Sequence, residues 1–443
     1  MIATIHDEAG VNGAAIDAIK GCGDMPFTFD SICASHTINN ASQLFKAKFL
    51  DEMDKIWNSY VSHSPATWQA YRLFVGHPCP RLTNVIRWFV KWEMWRDLLV
   101  YFKQTGDFLT DEAKKKGASD NVVKLSQLFV CPTRTLPSGQ PNPTYGSQSA
   151  NYRSLLFELS VVVHYGRPMC KATYYFERSK DMVLPFAEER IQLIVAHLEA
   201  NDLPPKIMET IATFDGDFQS IQHWKERRNA IVAPVVGYLK KNFVFTAKPI
   251  GTKNKPRTKA LRRYRVSRLF KFAELFRPDK FLVWYANLES DSRKEAKQNS
   301  NVFSDALKGM ARDLSFLKPQ VVTGLISQVI EMKSVAQSST SHYKASTLWD
   351  SFWKPLEKKA AVSWWYQTAA RISIIPASTA DVERVVSVFT DVVGDDQANM
   401  IEETMETTVM TRYNNRTPKK RKHRRFCDDD ERVSDEEGDG GED

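Results

Sequence analysis

The chain has 443 residues, 42% of them apolar and 26% charged, and a formal net charge of +8. That is room for two or three domains with a large core, in a composition typical of globular proteins. No apolar run is long enough to span a bilayer and no basic-then-apolar leader follows Met1, so an intracellular protein without membrane contact is expected.

Short strand signals open the chain, "IATI" at 2–5 and "FTFDSIC" at 27–33, and one more, "RISII", stands at 371–375. Between them the three-to-four spacing of large apolar residues predicts helices over 41–62, 84–104, 181–200 and 218–241. Residues 132–151, "PTRTLPSGQPNPTYGSQSAN", read as a mobile surface loop, and 247–259 as a linker. Trp88, Trp92 and Trp95 cluster in one helix and Trp349, Trp353, Trp364 and Trp365 in a later region. On such helices they read as helix–helix core. Six cysteines at 22, 33, 79, 131, 170 and 427 contain no C-x-x-C, which argues against a disulfide framework or a zinc module. A Gly-rich phosphate loop, H-E-x-x-H and G-x-S-x-G are all missing.

The charge is unevenly spread. Residues 253–271, "KNKPRTKALRRYRVSRLFK", hold nine Lys/Arg and no acid: Lys253, Lys255, Arg257, Lys259, Arg262, Arg263, Arg265, Arg268 and Lys271. This is a candidate phosphate-contacting surface, with an ordinary solvated helix face as the alternative. Near the end, "PKKRKHRRF" (418–426) carries Lys419, Lys420, Arg421, Lys422, Arg424 and Arg425, the pattern of a nuclear localisation signal. Residues 428–443 then hold ten Asp/Glu and one Arg.

In "ISIIPASTADVERVVSVFTDVVGDD" (372–396), Ser378 and Asp381 form a capping box for a helix. Its apolar face is Val382, Val385, Val386, Phe389 and Val393. Glu383 falls on the polar side, so taken alone it is a solvated carboxylate near a helix start. Met400, Ile401, Met405 and Val409 continue the helical spacing.

Five windows nevertheless follow one order. "IPASTADVERVVS" resembles the C-terminal signature of hAT-superfamily DNA transposases, I-P-A-S-S-A-x-S-E-R-V-F-S. "LWDSFWKPLEKKAAVSWWYQTAARISIIPAS" is similar to that family's lead-in, and "CPRLTNVIRWFVKWEMW" to its R-W segment through Arg87 and Trp88. "DSICASHTINN" resembles its C-x-x-H motif through Cys33 and His36, and "IHDEAGVNGAA" the D-x-A-x-x-N window through Asp7, Ala9 and Asn12. The signature has drifted, with Val382 for Ser, Val386 for Phe and Thr390 for Gly.

The resemblance implies a mainly α protein in which a long helical insertion interrupts a ribonuclease-H-like α/β core. Such enzymes hold two Mg²⁺ with two Asp and one Glu for in-line phosphoryl transfer. Asp7 would be the second Asp and Glu383 the Glu. The first Asp belongs on a strand well upstream of Asp7; Asp24 and Asp30 do not stand at its position. An N-terminally truncated core is therefore expected, with incomplete Mg²⁺ binding and no activity of its own.

The expected layout is a core remnant at 1–40, a helical insertion at 41–370, a catalytic-helix and dimerisation region at 371–415 and a disordered basic-then-acidic tail at 416–443. The implied partners are a second copy of the chain, through the 382–409 face, and non-specific DNA. A non-catalytic, transposon-derived nuclear protein that binds DNA or dimerises is the alternative.

Overall fold

The computed structural model describes residues 3–6, 29–61, 64–80, 88–177, 181–214, 220–244, 258–294, 299–312, 314, 316–339 and 342–375. Side chains are described for these residues except at 3–6, 29–32, 258–262 and 291–301. The described residues are mainly helical, and their one regular sheet has two parallel strands, β1 (Ala3–His6) and β2 (Phe29–Ile32). A parallel pair needs a crossover of about a dozen residues or more, which the interval 7–28 accommodates.

The chain divides into two compact units. One comprises residues 39–170 and 194–240. Its centre is Trp57 of helix Lys48–Val61, with no exposed surface. The indole Nε1 donates to the Pro80 carbonyl at 2.7 Å. The ring meets Tyr71 edge-on at 6.1 Å and lies 6.2 Å from Phe129. Tyr71 in turn exchanges a hydrogen bond with Thr105 at 2.8 Å. Helix Pro65–Val75 begins on Ser64, whose side chain accepts from the Thr67 N–H, and has proline at its first position.

Trp88, Trp92 and Trp95 are buried, as their helical spacing predicts. Helix Trp88–Val100 lies so close to helix Tyr145–Phe176 that a Cβ on Gly166 would come within 2.5 Å of the Trp88 ring. Only glycine leaves room for that ring. The start of helix Trp88–Val100 is tied from a distance, its first N–H donating to Asn39 Oδ1 at 2.7 Å.

The other unit comprises residues 1–38, 171–193 and 241–443. Among its described residues an aromatic core gathers Phe276, Phe281, Trp353 and Trp365. Ring centroids lie 5.6 Å apart for Phe276–Trp353 and 5.1 Å for Phe281–Trp365. Each indole N–H meets a backbone acceptor, Trp353 the Phe276 carbonyl at 3.0 Å and Trp365 the Leu325 carbonyl at 3.1 Å. These bonds make burial of the polar indole edge tolerable.

Two expectations are corrected. "RISII" is not a strand: Arg371–Ser373 is the last turn of helix Ser363–Ser373. Trp365, Thr368, Ala369 and Ile372 form one buried helical face, while Ile374 is 64% exposed. Packing of that face overrides the β-branched preference of the isoleucines. The loop at 132–151 is also shorter than read, because Tyr145 already begins the long helix. Residues 134–142 form a small hydrogen-bonded turn, with Leu136 N–H donating to the Gln140 carbonyl and Asn142 N–H to that of Arg134, both at 2.8 Å.

Candidate functional site

The sheet unit holds the first two sequence motifs. β1 runs parallel to β2 with Thr4 opposite Asp30, and its last residue, His6, directly precedes Asp7. The carboxyl ends of parallel strands are where open α/β sheets place their sites. Asp7 and Asp24 lie outside the described residues, as does Glu383.

Immediately after β2, Cys33 starts helix Ala34–Ser42. Its Sγ accepts from the His36 N–H at 3.4 Å and its carbonyl from the Thr37 N–H at 3.1 Å. The first N–H groups of a helix have no intrahelical acceptor, so a side chain at this position supplies one. The spacing of C-x-x-H is thus that of an N-cap and its third helical residue. Cys33 is buried and His36 half-buried. Among the described residues no three His, Cys, Asp or Glu converge in a way that could hold a metal ion.

The basic stretch forms helix Thr258–Glu274, which packs against β2, the turn Leu184–Phe186 and helix Asn299–Ala311. Val266, Leu269, Phe270 and Ala273 are buried, and Phe270 stacks with both Phe176 and Phe243 at 6.3 Å. Lys253, Lys255 and Arg257 lie outside the described residues, and Lys259 and Arg262 belong to the helix without described side chains. Arg263, Arg265, Arg268 and Lys271 are half-buried.

Arg268 donates to the Gly309 carbonyl in the last turn of helix Asn299–Ala311, a favoured place for a cation. Lys271 acts on Glu188, whose buried carboxyl is nevertheless pushed above its ordinary value by desolvation. Both cations are therefore engaged within their own unit.

Of the R-W pair, Trp88 is core and Arg87 lies outside the described residues. Also outside them are the association face (Val382, Val385, Val386, Phe389, Val393, Met400, Ile401, Met405, Val409) and the basic signal at Lys419–Lys422, Arg424 and Arg425.

Sequence reasoning missed two buried charge clusters in the unit of residues 39–170 and 194–240. Glu158 Oε2 accepts from the Phe49 and Leu50 N–H groups at 2.8 and 3.1 Å, capping helix Lys48–Val61 from another helix. Its Oε1 pairs with Arg227 at 3.0 Å. Desolvation still pushes this carboxyl above its ordinary value. Asp54 accepts from Trp95 Nε1 at 2.6 Å and pairs with Lys91 at 2.6 Å, and burial likewise pushes it up. The one signal for Glu158 was a lone charge inside the apolar run "LLFELSVVV".

No helix among the described residues is long and apolar enough to cross a membrane. A scan against protein families finds no matching family, and a search of curated proteins finds no relative.

Proposed function

We propose that this chain is related to the hAT DNA transposases and acts as a nuclear, self-associating protein that contacts DNA without cutting it. The observation that carries the reading is the parallel pair β1–β2, whose first strand ends at His6, one residue before Asp7 in the sequence. It is supported by the Cys33 cap that follows β2 and by the basic helix packed on that strand. A carboxylate next in sequence after β1, together with a basic helix packed on β2, suits a phosphodiester, whose oxygens take cations and whose chemistry takes Mg²⁺.

Residues 1–443 offer Asp7 and Glu383 as metal ligands in this reading, with no third acid at the family's first position. Two carboxylates alone leave a two-metal site short of a bridging ligand, so the ribonuclease-H-like core is taken as catalytically incomplete within this stretch.

Purified chain should bind a random-sequence DNA duplex with affinity that falls steeply as salt rises. The double variant Arg262→Glu, Arg265→Glu should remove most of that binding while leaving the far-ultraviolet dichroism unchanged. Arg268 is left intact because it secures the Gly309 carbonyl. The same mixtures should show no Mg²⁺- or Mn²⁺-dependent strand cleavage. Salt-insensitive binding, preference for one sequence, or cleavage lost on Glu383→Gln would each overturn the proposal. No binding at low salt would leave a helical scaffold instead.

Self-association is assigned to the valine face of 382–393 and its continuation to Val409. Light scattering should report a lower mass when Val385 and Phe389 are both replaced by aspartate. An unchanged mass in that variant, or a monomeric parent chain, would refute the assignment.

A further inference from the structure

Pro168 stands inside helix Tyr145–Phe176. Proline has no N–H, so the carbonyl four residues earlier, that of His164, loses its helical donor. The ring of His197, from helix Ala187–Glu199, lies near the His164 backbone. Its Nε2 is buried without a hydrogen-bond partner. The two imidazoles lie 4.9 Å apart at 30°, and the Tyr165 ring is 5.1 Å from His164 and 5.3 Å from His197.

The charges facing this pair are nearly all positive. Arg167 of the same helix acts on both rings, and Lys206 of helix Pro205–Ala212 acts on His164. Arg228 of helix Ile221–Phe243 lies 5.2 Å over Tyr165 and donates to the Leu198 and Ala200 carbonyls. The nearby carboxylate, Asp202, is paired with Lys225 at 2.9 Å. Glu199, beyond His197, is paired with Lys240 at 2.6 Å. An imidazolium here would find both of these carboxylates already paired.

We infer that His164 and His197 form a proton-operated latch, which fastens the end of helix Ala187–Glu199 to the Pro168 break when both rings are neutral and releases it when they charge. Desolvation is the main cause holding both rings below their ordinary value, with His164 lowered to about 4. Because the folded state disfavours the charged rings, their contribution is full above about pH 6.5, the unfolded value. For His164 it is lost as pH falls from there toward about 4, and for His197 it is lost in the same direction.

Amide hydrogen exchange on the full chain tests this. Corrected for intrinsic rates, protection across residues 194–203 should fall at least about tenfold between pH 7 and pH 4.5, a factor worth about one pKa unit. Protection in helix Trp88–Val100 should hold over the same range. His164→Phe, which keeps an aromatic ring but cannot charge, should retain protection at pH 4.5, whereas His164→Lys should lose it already at pH 7. Should the phenylalanine variant fail to fold, Pro168→Ala serves instead, because it returns a helical N–H to the His164 carbonyl and should shrink the acid response. Protection that is independent of pH in the parent chain, or an acid response unaltered in a folded variant of either kind, overturns the latch.

Discussion

Trp57→Ala should be among the most damaging single changes in the unit of residues 39–170 and 194–240, lowering its stability by about 3–5 kcal/mol in chemical denaturation. The side chain is wholly buried and touches Tyr60, Tyr71 and Phe129. Its removal opens a cavity bounded by three helices, and helices fixed elsewhere by Ser64 and Glu158 cannot all collapse into it. Trp57→Phe separates the two parts of the loss. It keeps most of the apolar area but leaves the Pro80 carbonyl without its 2.7 Å donor, a cost of about 1–3 kcal/mol. If alanine and phenylalanine cost the same, packing is not the main term.

The second large effect is asymmetric. Arg227→Ala should cost about 3–5 kcal/mol, because it strands a buried carboxylate. It also removes a guanidinium lying 5.6 Å from the Phe157 ring centre and 5.7 Å from those of Phe49 and Trp224. Glu158→Gln should cost much less, since an amide oxygen can still accept from Phe49 and Leu50 and no charge is left alone.

The pH dependence follows from the direction of the shift. Glu158 is raised by desolvation, so its charged form is the less favoured one in the fold. Its unfavourable contribution is therefore absent below the unfolded value of 4.5 and grows to its full size as pH rises through the folded value. The Arg227→Ala penalty should accordingly shrink when denaturation is repeated at acid pH, as Glu158 takes up a proton. Equal costs for the two substitutions, independent of pH, would mean that the carboxylate is solvated rather than stranded.

These two sites mark the limit of what the sequence could disclose. Apolar spacing located the helices because it records which face is buried, and Trp88, Trp92, Trp95 and Trp365 are core as their positions imply. "RISII" failed because β-branched residues at a helix end look the same in one dimension as a strand. Cys33 and His36 were visible as a pair, but only the helix start after β2 shows the pair to be a cap. Arg268 was one cation among nine until its carbonyl partner appeared from residue 309. Glu158 and Arg227 stand 69 positions apart, and no local pattern links partners at such distance. Asp7 and Glu383 remain legible only through the resemblance.

The chain path has a consequence for anyone dissecting the molecule. Residues 39–170 and 194–240 build one unit, while 1–38, 171–193 and the stretch from 241 onward build the other. The two are nested along the polypeptide, so no single cut frees either of them whole. A fragment ending at residue 200 would carry both units unfinished, and a deletion of 171–193 would rob one of a segment while shortening the tether inside its neighbour. The surgery that respects this wiring is a splice: 39–170 rejoined to 194–240 by a new linker, or the complementary excision with its own bridges.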